Sequence, residues 1–328
     1  MLLYSTNFSI FANYYIIDCE VEYYLYLIIS LALIIVGAMM LTDGSVALAR
    51  KFRVPEFIVG LTIVAVGTSM PEFTVSLLSA LEGKGDMAIG NVVGSNIFNV
   101  FAILGVCALF VPIAFTKTNI RRDIPICIFA TMALVVVTFM GHNITRMEGI
   151  ILLLGYIVMI WYTIRADKAS APKEEDSTPM MPSWRIPVWI ILGLAGLIFG
   201  GDLFVDSASE LALKWGVSEA TIAITIVAGG TSMPELASSL VAILKGRSSL
   251  ALGNVLGSNI ANILLILGAC SSVTPLTMGG VAMSDIYVTL GAAVLIMISA
   301  LVIGRDKLTR FEGVLFIGCY VAYVYSLM

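Results

Sequence analysis

Gly67-Thr68-Ser69-Met70-Pro71-Glu72 and Gly230-Thr231-Ser232-Met233-Pro234-Glu235 are the same six residues, GTSMPE, 163 positions apart. Each copy sits inside a long apolar run. A second pair lies at the same offset: GNVVGSNIFN over Gly90–Asn99 and GNVLGSNIAN over Gly253–Asn262, identical at eight of ten positions. The chain is therefore a duplication, and its polar residues concentrate in the repeated segments.

The surroundings are those of a membrane protein. Of 328 residues, 59% are hydrophobic and 12% are charged, about half the charge of an ordinary soluble domain. The apolar runs reach the ~20 residues a helix needs to cross a bilayer. Ten spans are expected, near 25–49, 56–81, 87–112, 123–141, 147–164, 187–213, 219–244, 250–273, 284–303 and 310–327. Residues 1–24 carry no Lys or Arg and read as an extracytoplasmic N-terminal tail, or as a misassigned start. Residues 165–186 are polar, with Pro172, Pro179 and Pro182, and read as a cytoplasmic linker between a first five-helix repeat (25–164) and a second (187–328).

Charge sets the orientation, since basic residues favour cytoplasmic loops. Of the 18 Lys and Arg, all but Lys84, Arg146 and Lys214 fall in loops after odd-numbered spans. Both termini are then extracytoplasmic. Because each half has an odd number of spans, the second half enters from the opposite face. The predicted fold is an all-α membrane protein of ten transmembrane helices, built as two inverted-topology five-helix repeats. Such repeats hold their substrate sites near the midplane. A multi-pass protein of the inner (plasma) membrane, surrounded by lipid and functional as a monomer, is expected. Nothing in the chain points to nucleic acid. The cysteines Cys19, Cys107, Cys127, Cys270 and Cys319 have no disulfide or metal-ligand spacing, and His142 lies in an outer loop.

The repeated segments carry the chemistry. Pro71 lacks an N–H and clashes with the preceding turn, so spans two and seven should be broken helices. Loosened carbonyls are expected near Ala65–Thr68 and Ala228–Thr231. Backbone of that kind is tolerated at membrane depth only where it lines a cavity or is buried in protein. Ser69 and Glu72, and Ser232 and Glu235, share a face beyond each break. A carboxylate at mid-membrane costs about 2.5–3.5 kcal/mol on insertion scales, and here there are two at matching depth. Kinked helices with neutral glutamates are the bland reading; a cation site is the favoured one. In the second pair, Ser95 and Asn99, with Ser258 and Asn262, are read as ligands. Asn96 and Asn259 are read as braces for the partner's broken backbone, and Asn91 and Asn254 as helix-packing glue. Gly90 and Gly94 give a small-residue face for close helix approach. All the donors are hard oxygens, which suit Ca²⁺ and Na⁺, and none is a soft His or Cys ligand. An intramembrane hydrolase using Ser69 or Ser232 would lack a buried His or Lys base.

The doubled GTS-hydrophobic-PE and G-N-x-x-G-S-N motifs resemble those of the cation/calcium antiporter superfamily, in particular bacterial and archaeal sodium/calcium exchangers. The resemblance runs from about Leu25 to the C-terminus. It implies no enzyme and no cofactor, but a secondary active transporter that exchanges Na⁺ for Ca²⁺ by alternating access. An H⁺-coupled or K⁺-dependent cation antiporter is the alternative. It implies Glu72 and Glu235 as ligands shared by both ions and backbone carbonyls of Thr68 and Thr231 for Ca²⁺. For Na⁺ it implies Ala65, Ser69, Ser95, Asn99, Ala228, Ser232 and Ser258, with Asn262. Some exchangers carry aspartate at that last position, so this chain lacks a third carboxylate.

Overall fold

The computed structural model describes residues 2–141, 143–168, 181–218 and 228–327. These are helical apart from turns and four two-residue strands. Residues 219–227 of the seventh expected span, 169–180 of the linker, and His142 lie outside the described residues. The helices are α1 (Leu2–Phe52), α2 (Glu56–Thr68), α3 (Met70–Leu81), α4 (Gly85–Phe110), α5 (Asn119–Phe139), α6 (Arg146–Lys168), α7 (Arg185–Lys214), α8 (Ala228–Gly230), α9 (Met233–Leu244), α10 (Ser248–Val273), α11 (Met283–Ile303) and α12 (Arg310–Leu327). Among the described residues, seven helices are long and apolar enough to cross a membrane. The bent pair α2–α3 makes an eighth. The apolar part of α1 is Glu22–Phe52.

Burial follows polarity. The most apolar stretch of α10 is 94% buried and that of α4 72%, against 22% for α6. The helices bearing the G-N-x-x-G-S-N segments thus form the centre. Their amides and hydroxyls would be costly against lipid, so the apolar helices wrap around them.

Two close helix crossings fix the centre. At the first, α2 lies directly on α10. A Cβ on Gly257 would stand 2.5 Å from the Leu61 carbonyl oxygen and 2.7 Å from Ala65 Cβ. The counterpart of this crossing, around Gly90 and Gly94, would involve residues 219–227, outside the described ones. The second crossing brings α1 against α7, where a Cβ on Gly193 would meet the Leu41 backbone N at 2.6 Å. Small residues let backbones approach to this distance.

Two tiny sheets tie the halves together. Ile113–Ala114 (β1) pairs antiparallel with Lys307–Leu308 (β4), and Asn143–Ile144 (β2) with Leu276–Thr277 (β3). The repeat aligns β1 with β3 and β2 with β4. Exchanging the halves therefore turns one sheet into the other. A matching pair of capping boxes opens the last helix of each half: Thr145 N donates to Glu148 at 2.7 Å, and Thr309 N to Glu312 at 2.7 Å. Two ion pairs join the α9–α10 turn to the first half, Lys245 to Asp43 at 2.6 Å and Arg247 to Glu56 at 2.9 Å.

Candidate cation-binding site

The break in the second span falls at Ser69 (φ −82°, ψ 11°), where α2 and α3 meet at 48°. In the second half it falls at Thr231 and Ser232 (φ −91°, ψ 9°), between α8 and α9. Pro71 and Pro234 sit in the first turns of α3 and α9. There a missing N–H removes no helical bond, so each proline starts the second piece rather than rupturing the first. Of the carbonyls expected to be loosened near Ala65–Thr68, that of Ala65 is not. It still accepts the Ser69 N–H at 3.1 Å, and it also faces the Ser258 hydroxyl at 3.4 Å.

Glu72 and Glu235 occupy the first turns of α3 and α9, at helix N-termini where negative charge is favoured, and both are fully buried. Each is held by the opposite half. Ser69 donates to Glu235 Oε1 at 2.8 Å, and Ser232 donates to Glu72 Oε1 at 2.8 Å. Ser95 also reaches Glu72 Oε1, at 3.2 Å, and lies 3.1 Å from Ser232. A carboxylate from each repeat and a serine from each repeat therefore close on one another.

The asparagines anchor this arrangement. Asn91 Nδ2 donates to the Glu72 carbonyl at 3.2 Å and to Ser76 at 3.0 Å. Asn254 Nδ2 donates to Ser238 and Ser239, each at 2.9 Å, and lies 3.4 Å from the Glu235 carbonyl. These contacts tie α4 to α3 and α10 to α9. Asn96 Nδ2 donates to the Asn259 carbonyl at 3.2 Å and Asn259 Nδ2 to the Asn96 carbonyl at 3.4 Å. That is backbone bracing between α4 and α10, rather than bracing of the broken segments. Ser76 and Ser239 escaped the sequence reading, although they too lie 163 apart, one turn past each glutamate.

Asn99 opens a π-helical turn, Asn99–Leu104, and Asn262 lies in another, Ala261–Leu267. Such wide turns recur at functional sites, and no residue pattern announced them. Thr68 is buried, its hydroxyl 3.0 Å from the Val64 carbonyl and 3.2 Å from Asn254 Oδ1. Thr231 is half-buried at the break. Ala228 begins α8, and its side chain lies outside the described ones.

Among the described residues, the buried side-chain atoms without a hydrogen-bond partner include Glu72 Oε2, Glu235 Oε2, Asn99 Oδ1 and Asn262 Oδ1. Buried polar atoms are ordinarily satisfied; with Asn259 Oδ1, five acceptors on the repeated motifs are not, an arrangement that a positive ligand would satisfy. No three His, Cys, Asp or Glu side chains converge among the described residues. A cation here would take two carboxylates and otherwise neutral oxygens, a set that fits Ca²⁺ and Na⁺.

Comparison with known proteins bears on the same segments. The family model described as sodium/calcium exchanger protein matches residues 22–165 and 185–328. The putative antiporter CaxA of Alkalimonas amylolytica is 36% identical over 312 residues, covering 92% of this chain and 98% of that protein. The sodium/calcium exchanger MaX1 of Methanosarcina acetivorans is 29% identical over 343 residues, covering 92% and 97%. The solved structure of the sodium-calcium exchanger NCX_Mj, soaked with Na⁺ and Ca²⁺, superposes with a TM-score of 0.81 at 31% identity, covering 94% of this chain and 99% of that one. With both motif-bearing halves matched by one family model, the chain belongs to the sodium/calcium exchanger family, within the cation/calcium antiporter superfamily.

Proposed function

We propose that this chain exchanges Na⁺ for Ca²⁺ across a membrane by alternating access at a single site built around Glu72 and Glu235. The observation that carries the reading is the reciprocal grip on the two carboxylates. One oxygen of each is held by a serine of the other half, and the second oxygen is left without a partner. MaX1 is named a sodium/calcium exchanger, and NCX_Mj was soaked with the same two ions. Both support the choice of ions.

In this proposal Ca²⁺ sits between the carboxylates with the backbone carbonyls of Thr68 and Thr231. Na⁺ ions use the carboxylates together with Ala65, Ser69, Ser95, Asn99 and their repeats Ala228, Ser232, Ser258 and Asn262. The two ions share ligands, so they compete, and competition at one site is what couples their fluxes. Two carboxylates neutralise one Ca²⁺, and an uncharged complex crosses a low-dielectric barrier far more readily than a bare charge pair. An empty site keeps two buried charges and is held back.

The ten-helix inverted repeat belongs to the same proposal. The exchange of β1–β4 into β2–β3 when the halves are swapped supports it, as do the reciprocal serine–glutamate bonds. In the same proposal Lys245 and Arg247 lie on the cytoplasmic side of an inner membrane, as the concentration of basic residues in these loops favours. Radioactive Ca²⁺ uptake into proteoliposomes tests the function. Uptake is expected only with Na⁺ inside and not outside. Uptake driven by a pH gradient without Na⁺, or uptake that requires K⁺, would overturn the assignment of Na⁺ as the sole partner ion.

A further inference from the structure

The two halves carry the same asparagines but bond them differently. Asn262 Nδ2 donates to Asn96 Oδ1 at 3.0 Å and to Ser95 Oγ at 3.1 Å. The repeat maps Asn262 onto Asn99, Asn96 onto Asn259, and Ser95 onto Ser258. The mirror bond would run from Asn99 Nδ2 to Asn259 Oδ1. It is not made: both of those atoms are buried without a partner. The serines keep the symmetry more closely: Ser95 bonds Glu72 and Ser258 bonds Glu235, with Ser258 also 3.4 Å from the Ala65 carbonyl.

Turning an amide over does not restore the symmetry. Asn99 is unpaired at both Oδ1 and Nδ2, so its reversal gains nothing. Reversing Asn259 would set its oxygen against the Asn96 carbonyl, and reversing Asn262 would set its oxygen against Asn96 Oδ1. The asymmetry therefore lies in which neighbours the Asn99 and Asn262 side chains reach across the shared α4–α10 crossing. At that crossing Asn96 and Asn259 hold each other's backbone.

We propose that Asn96, Asn99, Asn259 and Asn262 form a two-position switch between the conformations of the exchanger. The inference rests on the alternating-access reading above. In an inverted repeat, the inward-open and outward-open states differ by which half adopts which conformation. The bond Asn262–Asn96 belongs to the state seen here. In the opposite state it is released and Asn99–Asn259 forms in its place. The atoms unpaired in one state are those paired in the other, and Asn99 and Asn262 alternate between a fixed and a freely turning amide beside the ion site. Asn96 and Asn259 thereby act as positioning residues that set the balance of states.

Opposite signs are the signature. Asn96→Ala removes the bond of the present state, and Asn259→Ala removes that of the opposite one. One buried amide–amide bond shifts a two-state balance by about threefold to tenfold. The balance is read from modification by a membrane-impermeant maleimide of two introduced cysteines. Ala47→Cys lies in the cleft of about 410 Å³ at the Asp43 end, and Val281→Cys in the cleft of about 260 Å³ at the Asp86 end. The parent thiols serve as background; Cys107, Cys127 and Cys270 are buried.

The ratio of the two rates should move in opposite directions in the two alanine variants, and return to within about twofold of the parent in the double variant. Shifts of the same sign, no shift, or a double variant that does not return overturn the switch. Should the alanine variants fail to insert, Asn96→Ser and Asn259→Ser carry the same sign test. Failure of those as well would make the asparagines packing residues and overturn it too. Na⁺-driven Ca²⁺ uptake by the parent in the same vesicles separates the two levels. A parent that exchanges, with variants shifting together, sinks the switch alone; a parent that does not exchange sinks the functional reading beneath it.

Discussion

Glu72→Gln and Glu235→Gln are each expected to abolish Na⁺-driven Ca²⁺ uptake while the protein still inserts and melts near the parent temperature. Glutamine keeps the length of the side chain and an Oε1 that can accept from Ser232 or Ser69. The inter-half contact therefore survives. What changes is the unpaired oxygen, whose place an amide NH₂ takes, and the loss of one negative charge. A site with one carboxylate leaves Ca²⁺ with net positive charge in a buried pocket. Removing one partner of a buried charge pair costs about 2–5 kcal/mol, which is roughly thirty- to several-thousandfold in Ca²⁺ affinity. Na⁺, with half the charge, should lose less, so the ratio of the two affinities is more diagnostic than either alone. Calorimetric titration with each ion on detergent-purified protein measures that ratio. Equal losses for both ions would mean that the carboxylates position neutral ligands instead of neutralising charge. Full uptake by either variant would remove that residue from the site.

How much of this could be read from the residues follows from what a repeat can and cannot encode. Glu72 and Glu235 were legible because a carboxylate inside an apolar run is too costly to keep without a ligand or a partner, and here it occurs twice at one offset. The helix break was legible from Pro71 and Pro234, but where the loosening begins was not. The Ala65 carbonyl stays bonded to Ser69, four residues on, a bond that a proline at position 71 does not touch. The central place of α4 and α10 was not read in advance, although their amides explain it once seen. Nor were the serines that receive Asn91 and Asn254, because spacing shows which residues share a face but not which neighbour that face meets. The π-turns at Asn99 and Asn262 depend on packing against other helices and leave no local trace. Least legible is the asymmetry of the asparagines. Identical segments have identical propensities, and only the conformation of the whole chain makes Asn262 bond where Asn99 does not.

Gly257→Ala and Gly155→Ala should have effects of opposite sign, although each adds one methyl group to a glycine within a helix. Gly257 lies on α10 where α2 crosses it. Its new Cβ would sit 2.5 Å from the Leu61 carbonyl oxygen and 2.7 Å from both Leu61 Cα and Ala65 Cβ. Two of those three atoms are backbone and cannot rotate away, so α2 must move bodily. Overpacking of this kind costs about 1–3 kcal/mol. The displaced element carries Ala65 and Thr68 and leads into the break at Ser69, whose hydroxyl holds Glu235. Exchange should therefore fall further than stability does, since a shift of about 1 Å in a positioned site can cost about a hundredfold in rate. Gly155, on α6, has no atom within 4 Å of its added Cβ. There alanine only improves helix propensity, by up to about 1 kcal/mol, and exchange should be unchanged. Thermal unfolding in detergent and Ca²⁺ uptake, measured side by side on both variants, check the pair. If Gly257→Ala melted like the parent and exchanged at the parent rate, the close approach of α2 to α10 would not be what sets the carboxylates in register, and the geometric basis for a shared site would go with it.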